Sequence, residues 1–155
     1  MQSQIALSSG PFAVETKLFC VAPDYVDRAW PLARGFIEEA LARSGSDYPL
    51  DYIYDRLKSR KALLWIVARL NDTEIIAAAT TEIVGMVGSD KRVLVIHTCG
   101  GRDFKIWKKY IANFKQYARN ERCGLIRIYG REGWVRALRD EGFVQPWTAL
   151  EWQVI

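Results

Sequence analysis

Apolar and polar positions change rhythm several times along this chain, and each change marks an element. Residues 17–22 read as a short strand, after which Val26, Trp30, Ala33, Phe36, Ile37 and Leu41 recur at helical spacing. A helix is therefore predicted to open at Pro23-Asp24, with Pro31 kinking or restarting it. Past Ser44-Gly45-Ser46 a second helix, from Tyr52 to Arg60, buries Ile53 and Leu57. Three strand-like runs follow, residues 63–70, 74–84 and 92–98, separated by the turn signals Asn71-Asp72 and Gly88-Ser89-Asp90, and they read as an antiparallel meander. The period returns to helical from Phe104 to Asn120, where Phe104, Trp107, Ile111, Phe114 and Ala118 share one face that must cover the sheet. A strand over 125–129, a helix over 134–141 and a final strand over 149–154 complete the order β-α-α-β-β-β-α-β-α-β. This is an α/β (α+β) pattern: a central mixed, mostly antiparallel sheet flanked by about four helices.

Two glycine positions interrupt that pattern where chemistry is expected. Cys99-Gly100-Gly101-Arg102 stands where the fourth strand passes into a helix, and Gly130-Arg131-Glu132-Gly133-Trp134 stands at the next such joint. Glycine lets a backbone approach a ligand closely, and unpaired N–H groups at a helix start attract anions, so both joints read as phosphate or pyrophosphate sites. Arg131, at a helix start beside a glycine, is a candidate anion clamp.

Composition narrows the class. A chain of 155 residues, 50% of them hydrophobic, can bury a core without staples, and one domain over residues 17–155 after a flexible leader over 1–16 is expected. The cysteines Cys20, Cys99 and Cys123 contain no C-x-x-C pair and His97 is the sole histidine, which supports neither a disulfide framework nor a zinc site. No metal is expected. No signal-like start and no apolar run of membrane-spanning length occur, so a cytoplasmic protein without membrane contact is expected.

The net charge of +4 is unevenly spread. From Arg102 to Arg139 eleven Lys and Arg face three acids, an excess of +8, so the remainder sums to −4. Such a bias suits a nucleotide-like polyanion, or the solvent faces of two amphipathic helices. It lacks the interleaved exposed aromatics of a nucleic-acid surface, and nucleic acid is not expected as a partner.

The element order, Gly100-Gly101 between the fourth strand and third helix, Ala137-Leu138-Arg139-Asp140-Glu141-Gly142-Phe143 at the end of the fourth helix, and Leu150-Glu151-Trp152 together resemble the GNAT family of N-acetyltransferases. The resemblance spans residues 17–155. It implies splayed fourth and fifth strands, with acetyl-CoA in the gap and its pyrophosphate on the following helix start. Thr98, Cys99, Gly100, Gly101, Arg102 and Phe104, with Gly130 and Arg131, are then the cofactor-binding residues. The implied reaction is acetyl transfer from acyl-CoA to an amine acceptor. The family's acid tyrosine falls near Leu138, which cannot donate a proton, and Tyr129 is the nearest alternative. The joint is also shorter than the family's phosphate loop, and Asp103 adds a carboxylate beside it.

Attack of an amine on a thioester asks for a proton acceptor, an oxyanion donor and an acid for the thiolate. Glu82, on one strand face with Ala78 and Thr80, is the candidate base, its alternative being a solvated strand glutamate. His97 and Cys99, two apart on one strand, are a candidate thiol–imidazole pair, or else core and lining residues.

A second resemblance bears on setting. Leu64-Trp65, Gly100-Gly101-Arg102 followed by Trp107, Tyr117-Ala118-Arg119 with Cys123-Gly124, and Gly130-Arg131 with Gly133-Trp134 are similar to small GNAT-like proteins encoded by tailed bacteriophages and prophages. That resemblance implies either an acetyltransferase of the host cytoplasm or a non-catalytic virion component whose partners are phage structural proteins. Homo-oligomerisation is compatible with both.

Overall fold

The computed structural model describes residues 15–155. The expected leader lies outside the described residues except for Glu15 and Thr16, and Thr16 already opens the first strand.

Strands β3 (Ile75–Gly85) and β4 (Arg92–Gly101) are buried along most of their length, and strands covered on both faces belong at the centre of a sheet. β1 (Thr16–Val21) and β2 (Leu63–Arg69) extend the antiparallel meander, and β5 (Leu125–Ile128) joins β4 in parallel. The order is β1-β2-β3-β4-β5. This is the mixed, mostly antiparallel sheet that the pattern predicts.

One face of the sheet is covered by α1 (Val26–Ser44) and α2 (Leu50–Lys58), whose buried Ala33, Ile37, Leu41, Ile53 and Leu57 meet Leu64 and Ala78. Pro31 does not break α1. It gives up one hydrogen bond near the first turns, and the apolar face of the continuous helix remains packed on the sheet. The helix ends where Gly45 turns left-handed at φ 65° and returns its N–H to the Leu41 carbonyl.

The other face is covered by α3 (Phe104–Trp107), a 3₁₀ turn (Lys108–Tyr110) and α4 (Ile111–Asn120), which replace the single helix expected from Phe104 to Asn120. The expected stripe survives the interruption, since Trp107, Ile111, Phe114 and Ala118 are all buried. After β5 come the short α5 (Gly133–Ala137) and a 3₁₀ turn (Arg139–Glu141), the shorter form of the helix expected over 134–141.

The final strand expected over 149–154 does not form. Residues 143–155 are irregular and no described strand lies beside them. A strand needs a neighbour for its N–H and C=O groups, and alternation alone does not supply one.

Candidate functional site

The site begins with a register fault. Thr80 opposes Thr98 but Thr81 opposes Ile96, so His97 has no partner on β3 and is the extra residue of a β-bulge in β4. The pairing of β4 with β5 ends at the same level, with Ile96 opposite Ile128. Beyond it β4 continues to Gly101 while β5 gives way to Tyr129-Gly130, and the strands part.

The gap is a cavity of about 140 Å³. His97, Thr98, Cys99, Gly100 and Gly101 form one wall and Ile128, Tyr129, Gly130 and Arg131 the other. Phe36, Ala40 and Arg43 of α1 close one side, and Phe104, Trp107 and Trp134 close the end as an aromatic cluster with ring centroids 4.8–6.0 Å apart. Nine of the eleven candidate residues of the sequence line it: His97, Thr98, Cys99, Gly100, Gly101, Phe104, Tyr129, Gly130 and Arg131.

Arg102 and Glu82 do not. The Arg102 guanidinium is paired with Glu74 and lies 5.9 Å from the ring centroid of the wall residue Phe36, but Arg102 is not part of the lining. Glu82 is buried behind the wall rather than solvated on a strand face. It is ion-paired with Arg56 of α2, whose Nε donates to Oε2 at 3.2 Å, and the same Oε2 lies 3.2 Å from His97 Nε2.

The glycines have packing reasons. Gly100 and Gly101 belong to β4, opposite Ala78 and Ala77, and not to an elbow between strand and helix. A Cβ on Gly101 would stand 2.5 Å from the Ile76 carbonyl oxygen, and one on Gly100 would stand 3.1 Å from the Phe36 carbonyl oxygen of α1. A Cβ on Gly130 would meet the Trp134 indole at 2.4 Å. The turn out of β4 is made instead by Arg102-Asp103, with Asp103 left-handed at φ 55° and its carboxylate 3.4 Å from Arg69.

The bulge also separates His97 from Cys99. His97 shares the α1–α2 face with Glu82, whereas Cys99 packs on the opposite face in the clusters that contain Trp107 and Phe114. The thiol–imidazole pair is therefore not formed, and burial pushes the Cys99 thiol up to about 12, where no thiolate is available at neutral pH. Burial and, secondarily, the Arg56 guanidinium lower the His97 pKa from its ordinary value.

Among the described residues Arg131 makes no ion pair, whereas the other cavity arginine, Arg43, is paired with Glu39. An open groove shares Phe104 and Ala137 with the cavity and is lined by Lys105, Lys108, Arg136, Arg139 and Asp140, of which Lys108 is bonded to Asp140 at 2.7 Å. Five of the eleven cations of residues 102–139 thus share one rim. Leu138, at the position where a tyrosine acid would stand, is buried among Ile111 and Phe114 and serves the core.

Sequence reasoning missed Arg56, Tyr48 and the α1 wall. Arg56 sits beside the buried Leu57 on a helix whose partner strand the pattern does not specify, and the Tyr48 ring stands edge-on to the His97 imidazole at 5.6 Å across a short loop. Phe36 was visible as part of a helical stripe, with nothing to show that this stripe crosses the open end of β4.

No protein-family model matches the chain, and no curated protein matches it. Solved structures do. A predicted acetyltransferase from Clostridium acetobutylicum, determined with acetyl-CoA, is 13% identical, with a TM-score of 0.65 over 88% of this chain and 96% of that one. An aminoglycoside N-acetyltransferase in complex with CoA is 14% identical, with a TM-score of 0.65 over 94% and 99% of the two chains. An aminoglycoside acetyltransferase from an uncultured soil metagenomic sample, in complex with sisomicin, is 13% identical, with a TM-score of 0.63 over 90% and 97%. At these identities the likeness is one of fold, and the fold is GNAT-like.

Proposed function

We propose that the chain is an acyl-CoA-dependent N-acetyltransferase that moves an acetyl group from acetyl-CoA to an amine. The observation that carries this reading is the cavity between the free edge of β4 and the end of β5, in a fold whose solved neighbours include complexes with acetyl-CoA and CoA.

The residues present suit such a ligand. A volume of about 140 Å³ holds a narrow arm and not a whole nucleotide, so the nucleotide would lie outside. Beyond Ile96 the β4 backbone has no β5 partner and can pair with an amide-bearing arm as a neighbouring strand would. Trp107 lines the cavity with its indole N–H buried and unpartnered among the described residues, a donor awaiting an acceptor.

In this reading Thr98, Cys99, Gly100 and Gly101 flank the arm, Phe104 and Gly130 bound it, and Arg131 meets the pyrophosphate. Lys105, Arg136 and Arg139 on the adjoining rim add positive charge for further phosphate. Arg102 contributes less, being held by Glu74. Tyr129, half-exposed at the end of β5, is the acid for the departing thiolate. When bound, the thioester supplies the activated acetyl group; the chain holds it and manages protons.

Isothermal calorimetry with acetyl-CoA tests the reading, with Arg131→Ala as the control. Gly101→Asp would be a poor control because its side chain would be driven into β3. Micromolar binding, weakened about tenfold in Arg131→Ala by the loss of one charge-assisted contact, is expected. No heat at millimolar acetyl-CoA from a folded chain would instead favour a non-catalytic use of the fold, such as a virion component.

A further inference from the structure

The geometry points to His97, and not Glu82, as the group that takes the proton from the attacking amine, with Glu82 and Arg56 as the positioning residues behind it. This rests on the acetyltransferase reading and assigns its proton acceptor to a side chain of the cavity wall.

Three observations carry it. His97 lines the cavity on the face shared with Thr98, at the level where β4 and β5 part. Its Nε2 lies 3.2 Å from Glu82 Oε2, an arrangement in which Nε2–H donates to the carboxylate and the lone pair is left on Nδ1. Nδ1 is buried without a hydrogen-bond partner among the described residues, on a side chain only 8% exposed. A buried acceptor with no donor is rare in folded proteins unless an ordered water or a ligand supplies one.

Glu82 itself is poorly placed to receive the proton. It lies outside the cavity, and its two oxygens are occupied by Arg56 and His97. It can fix the imidazole's tautomer and ring plane, as a carboxylate does behind a histidine base. The bulge is the device that brings this about: with regular pairing His97 would share a face with Cys99.

The proton path closes as follows. The nitrogen lone pair of a primary alkyl amine forms the C–N bond at the thioester carbonyl, making that nitrogen an acidic ammonium. Nδ1 accepts its proton, the C–S bond breaks with its electron pair leaving on sulfur, and the thiolate takes a proton from Tyr129 or from water. The imidazolium then returns its proton to solvent. A neutral imidazole before attack suits this step, and the pKa of His97 is lowered by burial and by Arg56. The other ionisable groups facing it are Glu82 on β3 and Tyr48 before α2; Glu39 and Arg43 of α1, with Tyr129 and Arg131 beyond β5, share the cavity.

Because His97 is the sole histidine, its ring is read directly by ¹H–¹⁵N correlation NMR of the whole chain labelled at histidine. The expected result is a neutral ring at pH 7 with the proton on Nε2, a preference lost in Glu82→Gln. Addition of acetyl-CoA and methylamine, the simplest probe amine, should then give CoA release that falls by on the order of 10²-fold in His97→Gln, together with loss of the acidic limb that remains in the kcat/KM–pH profile once the ionisation of methylamine itself is divided out. A proton on Nδ1, a charged ring at pH 7, or a His97→Gln enzyme with the wild-type rate and profile overturns the inference. Calorimetry separates the two readings: His97→Gln retains acetyl-CoA binding if only this inference fails, whereas no binding by the wild type removes the acetyltransferase reading itself.

Discussion

A buried imidazole shows its environment in the pH dependence of the whole fold. His97 is held neutral by burial and by Arg56, with its folded pKa below the 6.5 of a free imidazole. Between those two values the unfolded chain binds a proton that the folded chain refuses. Stability is therefore full above the unfolded value and declines as pH falls through it, down to the folded value. Urea midpoints taken at pH 7.5 and at mildly acidic pH should show that decline, with a slope of at most about 1.4 kcal/mol per pH unit. His97→Gln should flatten it. A wild-type slope equal to that of the variant would mean that the ring is protonated as easily folded as unfolded. The triad also explains why a glutamate can sit buried on β3 at all: Arg56 compensates its charge and His97 satisfies a remaining lone pair. None of this was legible residue by residue. Glu82 was visible as a strand-face carboxylate sharing a side with Ala78 and Thr80, which the structure bears out, but its partners come from a helix and from a bulged position on another strand.

At the level of elements the sequence was more informative, because periodicity reports which faces are buried. The stripe from Trp107 to Ala118, the meander and the β4–β5 crossover all follow from spacing. What spacing could not report is where β4 ends. Cys99-Gly100-Gly101 looks like a loop by composition, yet these residues pair with Ala79, Ala78 and Ala77, since glycine opposite alanine is what lets β3, β4 and α1 come so close. Gly101→Ala tests this cause. Its Cβ would lie 2.5 Å from both the Ala77 Cβ and the Ile76 carbonyl oxygen, neither of which is the end of a flexible side chain. The expected cost is about 1–3 kcal/mol in urea denaturation, of the size seen for overpacking elsewhere. If the variant kept full stability and lost only ligand binding, glycine would be serving the ligand and not the strand. The same logic explains Gly130, whose missing side chain leaves room for Trp134 in the aromatic end of the cavity.

Over the whole molecule, charge and apolar surface are both distributed asymmetrically. Five of the eleven cations of residues 102–139, namely Lys105, Lys108, Arg131, Arg136 and Arg139, lie at the cavity and the adjoining groove, which is how a formal charge of only +4 can present a local anion-attracting rim. No helix among the described residues is long and apolar enough to cross a membrane. The apolar asymmetry lies at the C-terminal end of the sequence: Val144, Trp147, Leu150, Trp152, Val154 and Ile155 are exposed, and the strand expected over 149–154 has no described neighbour. Side chains that bury nothing contribute little to folding, while a run of exposed apolar residues favours contact with other molecules. A chain ending at Gln145 should therefore unfold with a stability within about 0.5 kcal/mol of the parent, since Phe143, the last residue packed on the core, is retained. Sedimentation at rising concentration should show less self-association in the shortened chain than in the parent. A loss of several kcal/mol on truncation would instead mean that the segment pairs with the sheet in solution. The outer edges of β1 and β5, neither with a neighbour among the described strands, are the edges where it could pair.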